Sequence, residues 1–135
     1  MPHNHHEIDL DTVSKRFLEL LNAPQHLGHL DSSDGSAKLT GECGDSVGME
    51  ISVVDRRLAC IRVQPDGCVF TQVCSEAVAG LATGLSLDDV LAFDVDDVVE
   101  ETGGLPEDHL HCARLALNTL GEAILDFMAR DGRKG

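Results

Sequence analysis

The chain has 135 residues, 42% of them hydrophobic, which is enough for one globular domain with its own core and too few for two. Its 10 basic and 24 acidic side chains give a net charge of −14, which argues against a nucleic-acid partner because phosphates would be repelled. No apolar run reaches the roughly 20 residues of a membrane span, and the N-terminus lacks the basic start and apolar core of a signal peptide. We therefore expect a cytoplasmic protein with no membrane partner, whose five cysteines are reduced.

The first predicted element is an amphipathic helix over residues 8–22. Apolar residues recur there at steps of three and four, and Asp9 or Asp11 can cap its start. Pro24 ends this helix. Residues 1–7 are expected to be a flexible tail, because ordering them would cost conformational entropy that a short polar segment does not recover.

Three strands are predicted next, over residues 38–42, 47–53 and 59–64. The second alternates apolar and polar residues, which is the period of a half-buried strand. In the third, the same alternation places Ala59, Ile61 and Val63 on the buried face. Cys60 then lies on the opposite face and is expected to be a partly exposed thiol without a function.

The second half of the chain is predicted to be helical, over residues 69–84, 86–93, 94–101 and from 106 onward. Cys74 falls in the apolar stripe of the first of these helices, which predicts a core thiol, with a fourth thiol near a functional site as the alternative. Pro106 suits the first position of the last and longest helix. The order of elements predicts a single α+β domain over 1–135: a three-stranded antiparallel sheet with helices packed on one face and a long C-terminal helix.

Acidic residues are frequent between Asp88 and Asp108, and the sequence has no Lys or Arg between Arg62 and Arg114. This region is either a solvated face that keeps the protein soluble or a docking surface for a basic partner.

Side chains able to bind a metal stand at the predicted ends of these elements. Cys43 and Asp45 lie between the first two strands, and Cys68 follows the third. His111 and Cys112 lie in the first turns of the last helix, whose N-terminus is expected to lower the pKa of Cys112. In a three-stranded meander the first connection and the exit of the third strand lie at the same end, so these residues can converge.

Thiolates and imidazole suit zinc or iron–sulfur centres rather than magnesium or calcium. The cysteines are far apart in sequence and form no Cys-x-x-Cys motif, so a site would be tertiary rather than a zinc finger. The alternative is that Cys43, Cys68 and Cys112 are three unrelated cysteines.

Four short motifs resemble those of the iron–sulfur cluster assembly scaffold family, which comprises the IscU-type proteins and the N-terminal part of NifU. They are the loop at 22–28, Cys43-Gly44-Asp45, Gly67-Cys68 and Leu105-Pro106 with His111-Cys112. The resemblance extends from about residue 17 to 124. It implies the same α+β fold that the element order predicts.

The resemblance also implies a function. Members of this family build a transient [2Fe-2S] cluster from iron and from sulfur delivered by a cysteine desulfurase, and pass it to apo iron–sulfur proteins. By resemblance, Cys43, Cys68 and Cys112 are the cluster thiolates, with His111 as an alternative ligand. Cys112 is the implied persulfide acceptor, Asp45 is implied to keep the cluster labile, and zinc can occupy the same residues.

Two segments depart from the family pattern. The chaperone-docking segment Leu-Pro-Pro-Val-Lys is replaced here by Leu105-Pro106-Glu107-Asp108-His109, which puts docking of the Hsp70-type chaperone in doubt and places His109 where the family has a lysine. The small, Ser-rich segment after Gly-Cys is bulkier here, over residues 69–75. Two other functions remain open: a zinc-bound sulfur acceptor that serves a cysteine desulfurase, and a metal-free interaction domain.

Overall fold

The computed structural model describes residues 13–134. Its elements are α1 (Lys15–Asn22), β1 (Gly35–Thr40), β2 (Ser46–Val54), β3 (Arg57–Asp66), α2 (Val69–Ala82), α3 (Leu87–Leu91), α4 (Val95–Glu101) and α5 (Leu110–Lys134). A 3₁₀ turn, Glu107–His109, precedes α5. This is the predicted α+β order, and the fold class is confirmed.

The three strands form one antiparallel sheet in the order β1-β2-β3. Met49 and Ile51 of β2 and Val63 of β3 are fully buried, while the alternate residue Glu50 is not. α5 packs on β1 and β2, and α2 packs on β3. β1 and α5 approach closely, since a Cβ on Gly35 would collide with the backbone of α5.

A β-bulge in the β2–β3 pair overturns one predicted burial. Ser52 lies opposite Cys60 and Val53 opposite Leu58, so Ala59 has no partner in the ladder. The extra residue shifts the alternation, and Leu58 is buried where Ala59 was predicted to be. Cys60 is partly exposed, as expected.

The first helix begins later than predicted. Within the described residues it starts at Lys15, and Ser14 is its N-cap, accepting a hydrogen bond from the Phe17 N–H at 2.9 Å. The Ser14 hydroxyl also donates to the Thr102 carbonyl at 2.6 Å, which joins the start of α1 to the end of α4. The proposed caps Asp9 and Asp11 and the tail at 1–7 lie outside the described residues.

The last helix also begins later than predicted. Pro106 precedes the 3₁₀ turn, and α5 starts at Leu110. Cys74 is fully buried, as expected of a core thiol. In the described part of the chain, no helix is both long and apolar enough to cross a membrane.

Candidate metal centre

The loop between β1 and β2 presents Cys43 at one end of the sheet. The Gly41 N–H donates to the Asp45 carbonyl at 2.8 Å, and the Gly44 N–H donates to the Gly41 carbonyl at 3.0 Å. Gly44 has a φ of 90°, a left-handed conformation that favours glycine. This tight loop leaves the Cys43 thiol exposed and directs Asp45 towards the exit of β3.

Asp45 connects this loop to the start of α2. Its Oδ2 accepts from the Cys68 N–H at 3.1 Å and from the Thr71 hydroxyl at 2.7 Å. Gly67 makes room for the carboxylate, because a Cβ there would overlap it. Burial alone would raise the pKa of Asp45, but the hydrogen bonds from Thr71, Cys68 and Cys43 outweigh it and lower the pKa below its ordinary value.

Thr71 links the carboxylate to two of the thiols, a role that sequence reasoning missed. Its fully buried hydroxyl lies 3.5 Å from the Cys112 Sγ and 3.7 Å from the Cys68 Sγ. The signal that could have found it is position, since Cys68 is the N-cap of α2 and Thr71 follows three residues later on the same side.

Three ligand atoms converge at this end of the molecule. One atom each from Cys68, His109 and Cys112 lies within 4.8 Å of the other two. We call these three residues the donor triad. From the sequence, His109 stands where the family has a lysine, and it was not predicted to be a ligand.

The other predicted site residues surround the donor triad without joining it. Cys43 and Asp45 lie beside it, as the hydrogen bonds of Asp45 show. His111 has its Nε2 3.6 Å from the Cys112 Sγ. The predicted convergence at one end of the sheet is therefore observed, with His109 closer to both sulfurs than the sequence suggested.

The expected depression of the Cys112 pKa is wrong. Cys112 is the third residue of α5, but its side chain is fully buried. Burial, together with the neighbouring thiols Cys68 and Cys43, raises its pKa to about 12, although the Thr71 hydrogen bond opposes the shift. Desolvation of a thiolate costs more here than the helix N-terminus supplies.

Cys74 is both a core residue and a neighbour of the centre. Its pKa is raised, first by burial and then by the nearby thiols Cys112 and Cys68. The interpretation of Cys74 as a core thiol is confirmed, and its part in the site as a fourth thiol stays a prediction.

The arrangement suits a soft or borderline metal ion at a partly open site. Thiolate and imidazole ligands favour zinc or iron. Cys43 and Cys68 are exposed whereas Cys112 is buried, so an ion would be reached from the side of the first two cysteines.

Comparison with known proteins gives a consistent result. The model of the family described as "NifU-like N terminal domain" matches residues 12–134. The scaffold protein "IscU 1" of Archaeoglobus fulgidus is 30% identical over 121 residues, covering 89% of this chain and 79% of that protein. "Nitrogen fixation protein NifU" of Nostoc is 30% identical over 121 residues, covering 83% of this chain and 40% of that protein.

Solved structures share the fold. A NifU-like N-terminal protein from Brucella abortus superposes with a TM-score of 0.68 at 18% identity, covering 86% of this chain and 94% of that one. A putative scaffold protein for the SUF system from Fervidobacterium islandicum superposes with a TM-score of 0.66 at 12% identity, covering 82% and 95%.

Proposed function

Because the chain belongs to the NifU-like N-terminal domain family, we propose that it is a scaffold on which a transient [2Fe-2S] cluster is assembled and from which it passes to apo iron–sulfur proteins. Relatives from Archaeoglobus fulgidus and Aquifex aeolicus are named as iron–sulfur cluster assembly scaffold proteins. The chain is not an enzyme in this role, since the cluster is its cargo. The whole single domain serves as the scaffold.

The observation that carries this proposal is the convergence of Cys43, Cys68 and Cys112 around Asp45 and Thr71. Three thiols from three segments meet at one end of the sheet, on a surface that leaves two of them exposed. Cys43, Cys68 and Cys112 are the proposed cluster thiolates. A site with two exposed thiols suits a scaffold, because both assembly and release of the cluster require access to the iron.

Asp45 and Cys112 have further proposed roles. A carboxylate is a hard ligand and bonds weakly to a soft cluster, so Asp45 beside the cysteines would favour release. Cys112 is the proposed acceptor of sulfur from the persulfide of a cysteine desulfurase. Since its pKa is about 12, Cys112 must lose its proton on the approach of a metal ion or through His111, whose Nε2 lies 3.6 Å away.

Anaerobic reconstitution tests the proposal. The protein is incubated with ferrous iron, cysteine and a cysteine desulfurase, and iron, acid-labile sulfide and zinc are measured per chain. We expect near-equal iron and sulfide, charge-transfer absorption in the visible, and loss of that absorption to an apo-ferredoxin. Zinc that resists displacement, with no sulfide retained, would contradict the scaffold function.

Two cysteine variants sharpen this test. Cys68→Ala should abolish cluster retention. Cys60→Ala is the matched control, because Cys60 lies on β3 six residues before Asp66, roughly 20 Å along the strand from the centre. Equal loss in both variants would mean that the cluster is not held where we propose.

A zinc-bound sulfur acceptor is the second candidate. The donor triad favours it, since two sulfurs and one imidazole within 4.8 Å match the ligands of many zinc sites. In that function zinc is retained and no cluster forms. Cys112→Ser would then abolish stimulation of the desulfurase. In the reconstitution described above, the wild-type protein would contain zinc and no sulfide.

A further inference from the structure

We propose that His109, rather than His111, supplies the imidazole ligand when the centre binds a divalent transition metal ion. This rests on the proposed function in that it concerns the ion-binding residues of the same site. It differs from the expectation, based on the motif His111-Cys112, that His111 is the histidine ligand.

The first argument is distance. A tetrahedral ion with bonds of about 2.3 Å to sulfur and about 2.0–2.1 Å to nitrogen holds its donor atoms roughly 3.5–3.8 Å apart. The atoms of the donor triad already lie within 4.8 Å of one another. Side-chain movements of about 1 Å would therefore close a three-ligand site, with the fourth position left for Cys43, Asp45 or solvent.

The second argument is helical position. His109 precedes Cys112 by three residues, and residues three apart lie on one side of a 3₁₀ or α-helical turn. His111 precedes Cys112 by one residue, and the two side chains leave the helix about 100° apart around its axis. The His111 Nε2 lies 3.6 Å from the Cys112 Sγ, but among the described residues the group of three ligand atoms within 4.8 Å includes His109 and not His111.

The third argument is a nitrogen without a partner. The Nδ1 of His109 is buried and makes no hydrogen bond to any described residue. Leaving a buried polar atom unpaired costs free energy, because the atom has lost its hydrogen bonds to water. A metal ion bound at Nδ1 would satisfy it.

The ring of His109 is already held in place. It stacks on Phe70 with centroids 3.7 Å apart and an angle of 11° between the planes. Its Nε2 lies 4.0 Å from the Asp108 carboxylate. That separation is too long for a hydrogen bond and the Asp108 side chain is 84% exposed, so the stacking on Phe70 is what positions the ring.

Zinc binding to two matched variants tests the assignment. His109→Phe and His111→Phe each keep an aromatic ring and remove the ring nitrogens, and Zn²⁺ alone is the probe. Affinity is measured by competition with a chromophoric chelator, and the ligand set by X-ray absorption at the zinc edge. We expect His109→Phe to weaken binding at least about tenfold and to lose the imidazole signal, since even residues behind the ligands contribute 10–100-fold. His111→Phe should keep both.

The opposite pattern, with the imidazole signal lost only in His111→Phe, overturns the proposal. Thermal unfolding of the metal-free variants shows whether each still folds. If His109→Phe does not fold, proton–nitrogen correlation spectra of the wild-type histidine rings settle the point, because zinc should shift Nδ1 of His109. A shift confined to His111 would contradict the assignment.

The test separates this inference from the scaffold function. Zinc binding requires neither sulfide nor a desulfurase. Ligation by His109 in a protein that assembles no cluster would leave the inference standing and reject the scaffold. Cluster assembly in a protein that binds zinc through His111 would reject the inference and leave the scaffold function standing.

Discussion

Gly67 shows how one missing Cβ shapes the centre. The Asp45 carboxylate occupies the space that a side chain at residue 67 would need. We predict that Gly67→Ala displaces Asp45, breaks its hydrogen bond to the Cys68 N–H and lowers the amount of cluster retained after reconstitution. Iron and sulfide per chain are the measurement.

Gly121→Ala is the control for this change. Gly121 lies within α5, and a Cβ there would contact no atom within 4 Å. Alanine should stabilise the helix by about 0.5–1 kcal/mol and leave cluster retention unchanged. If Gly67→Ala also retained a normal cluster, the position of Asp45 would be irrelevant to the site.

Thr71→Val isolates the hydroxyl that Asp45 accepts. Valine keeps the shape, so the pKa of Asp45 should rise towards its ordinary value because the 2.7 Å hydrogen bond is lost. Carboxyl-carbon NMR titration measures this directly. Because the pKa of Asp45 is lower in the folded protein than its unfolded value of 3.8, ionised Asp45 stabilises the fold at pH values above 3.8. The difference in free energy of unfolding between the wild type and Thr71→Val should therefore shrink as the pH falls through the folded pKa.

Thr119→Val is the matched variant for this measurement. Thr119 is equally buried, but its hydroxyl bonds to the Leu115 carbonyl within α5 at 2.8 Å. It should leave the Asp45 titration unchanged. A shift of the same size in both variants would assign the low pKa to something other than Thr71.

The four thiols near the centre should react in a fixed order. Cys43 and Cys68 are exposed, whereas Cys74 and Cys112 are buried and have raised pKa values. Because the thiolate is the nucleophile, iodoacetamide should label the first pair well before the second in metal-free protein. Peptide mass spectrometry over time reports the order, and early labelling of Cys112 would contradict its burial.

For single residues, the sequence predicted the members of the site better than it predicted their contacts. Cys43 and Cys68 were found because thiols beside glycines are conspicuous, Asp45 because it ends the Cys-Gly-Asp motif, and Cys112 because His111 precedes it at a predicted helix start. Thr71 and His109 were not assigned a role, because their contribution depends on which way a helical turn faces after folding. The Cys112 pKa was misjudged for a related reason, since sequence position does not reveal the depth of burial.

Among the elements, α1 depends on a single residue at its start. Ser14 caps the helix and also donates to Thr102 at the end of α4. We predict that Ser14→Ala destabilises the protein by about 1–2 kcal/mol, the upper part of the range for a lost cap, because two contacts disappear. Denaturant unfolding measures the change.

Ser86→Ala provides the comparison, since Ser86 caps α3 with an exposed hydrogen bond at 3.2 Å. Its cost should be smaller. Cluster retention should be normal in both variants, because neither serine contacts the centre. A Ser14→Ala protein as stable as the wild type would show that the α1–α4 connection contributes nothing.

The elements themselves were predictable, but their exact limits were not. Alternation in β2 and three-to-four periodicity in α2 and α5 are properties of the local sequence. The bulge at Ala59 depends on the register against β2, and the late start of α5 depends on the 3₁₀ turn after Pro106. The bulge can be located only when the strand pairing is known, and the turn is held by a hydrogen bond from the His109 N–H to the Pro106 carbonyl that the apolar periodicity does not reveal.

For the molecule as a whole, charge opposes folding. A net charge of −14 on 135 residues creates self-repulsion that salt screens. We predict that the melting temperature of the metal-free protein rises as sodium chloride increases from about 0.01 M to 1 M, where the Debye length falls from about 30 Å to 3 Å. Scanning calorimetry measures this, and a melting temperature that fell with salt would mean that attractive ion pairs dominate.

The global architecture followed from the order of elements. One helix, three short strands and a run of helices leave few arrangements other than a meander with helices over one face. The convergence of the thiols at one end of the sheet followed from that topology. The position of the 3₁₀ turn relative to Cys68 could not be derived from the sequence, because it depends on how α5 packs on β1 and β2.

The separation in sequence between α5 and the three strands has a consequence for biogenesis. β1, β2 and β3 are neighbours in sequence and can pair while the ribosome is still translating, so a nascent chain soon carries Cys43 and Cys68 close together. His109 and Cys112 follow Cys68 by more than 40 residues, so they join it only through contacts between distant segments, which form more slowly than local ones. A chain in which α5 has not yet packed on the sheet therefore cannot close the donor triad, and we expect it to bind a metal ion weakly.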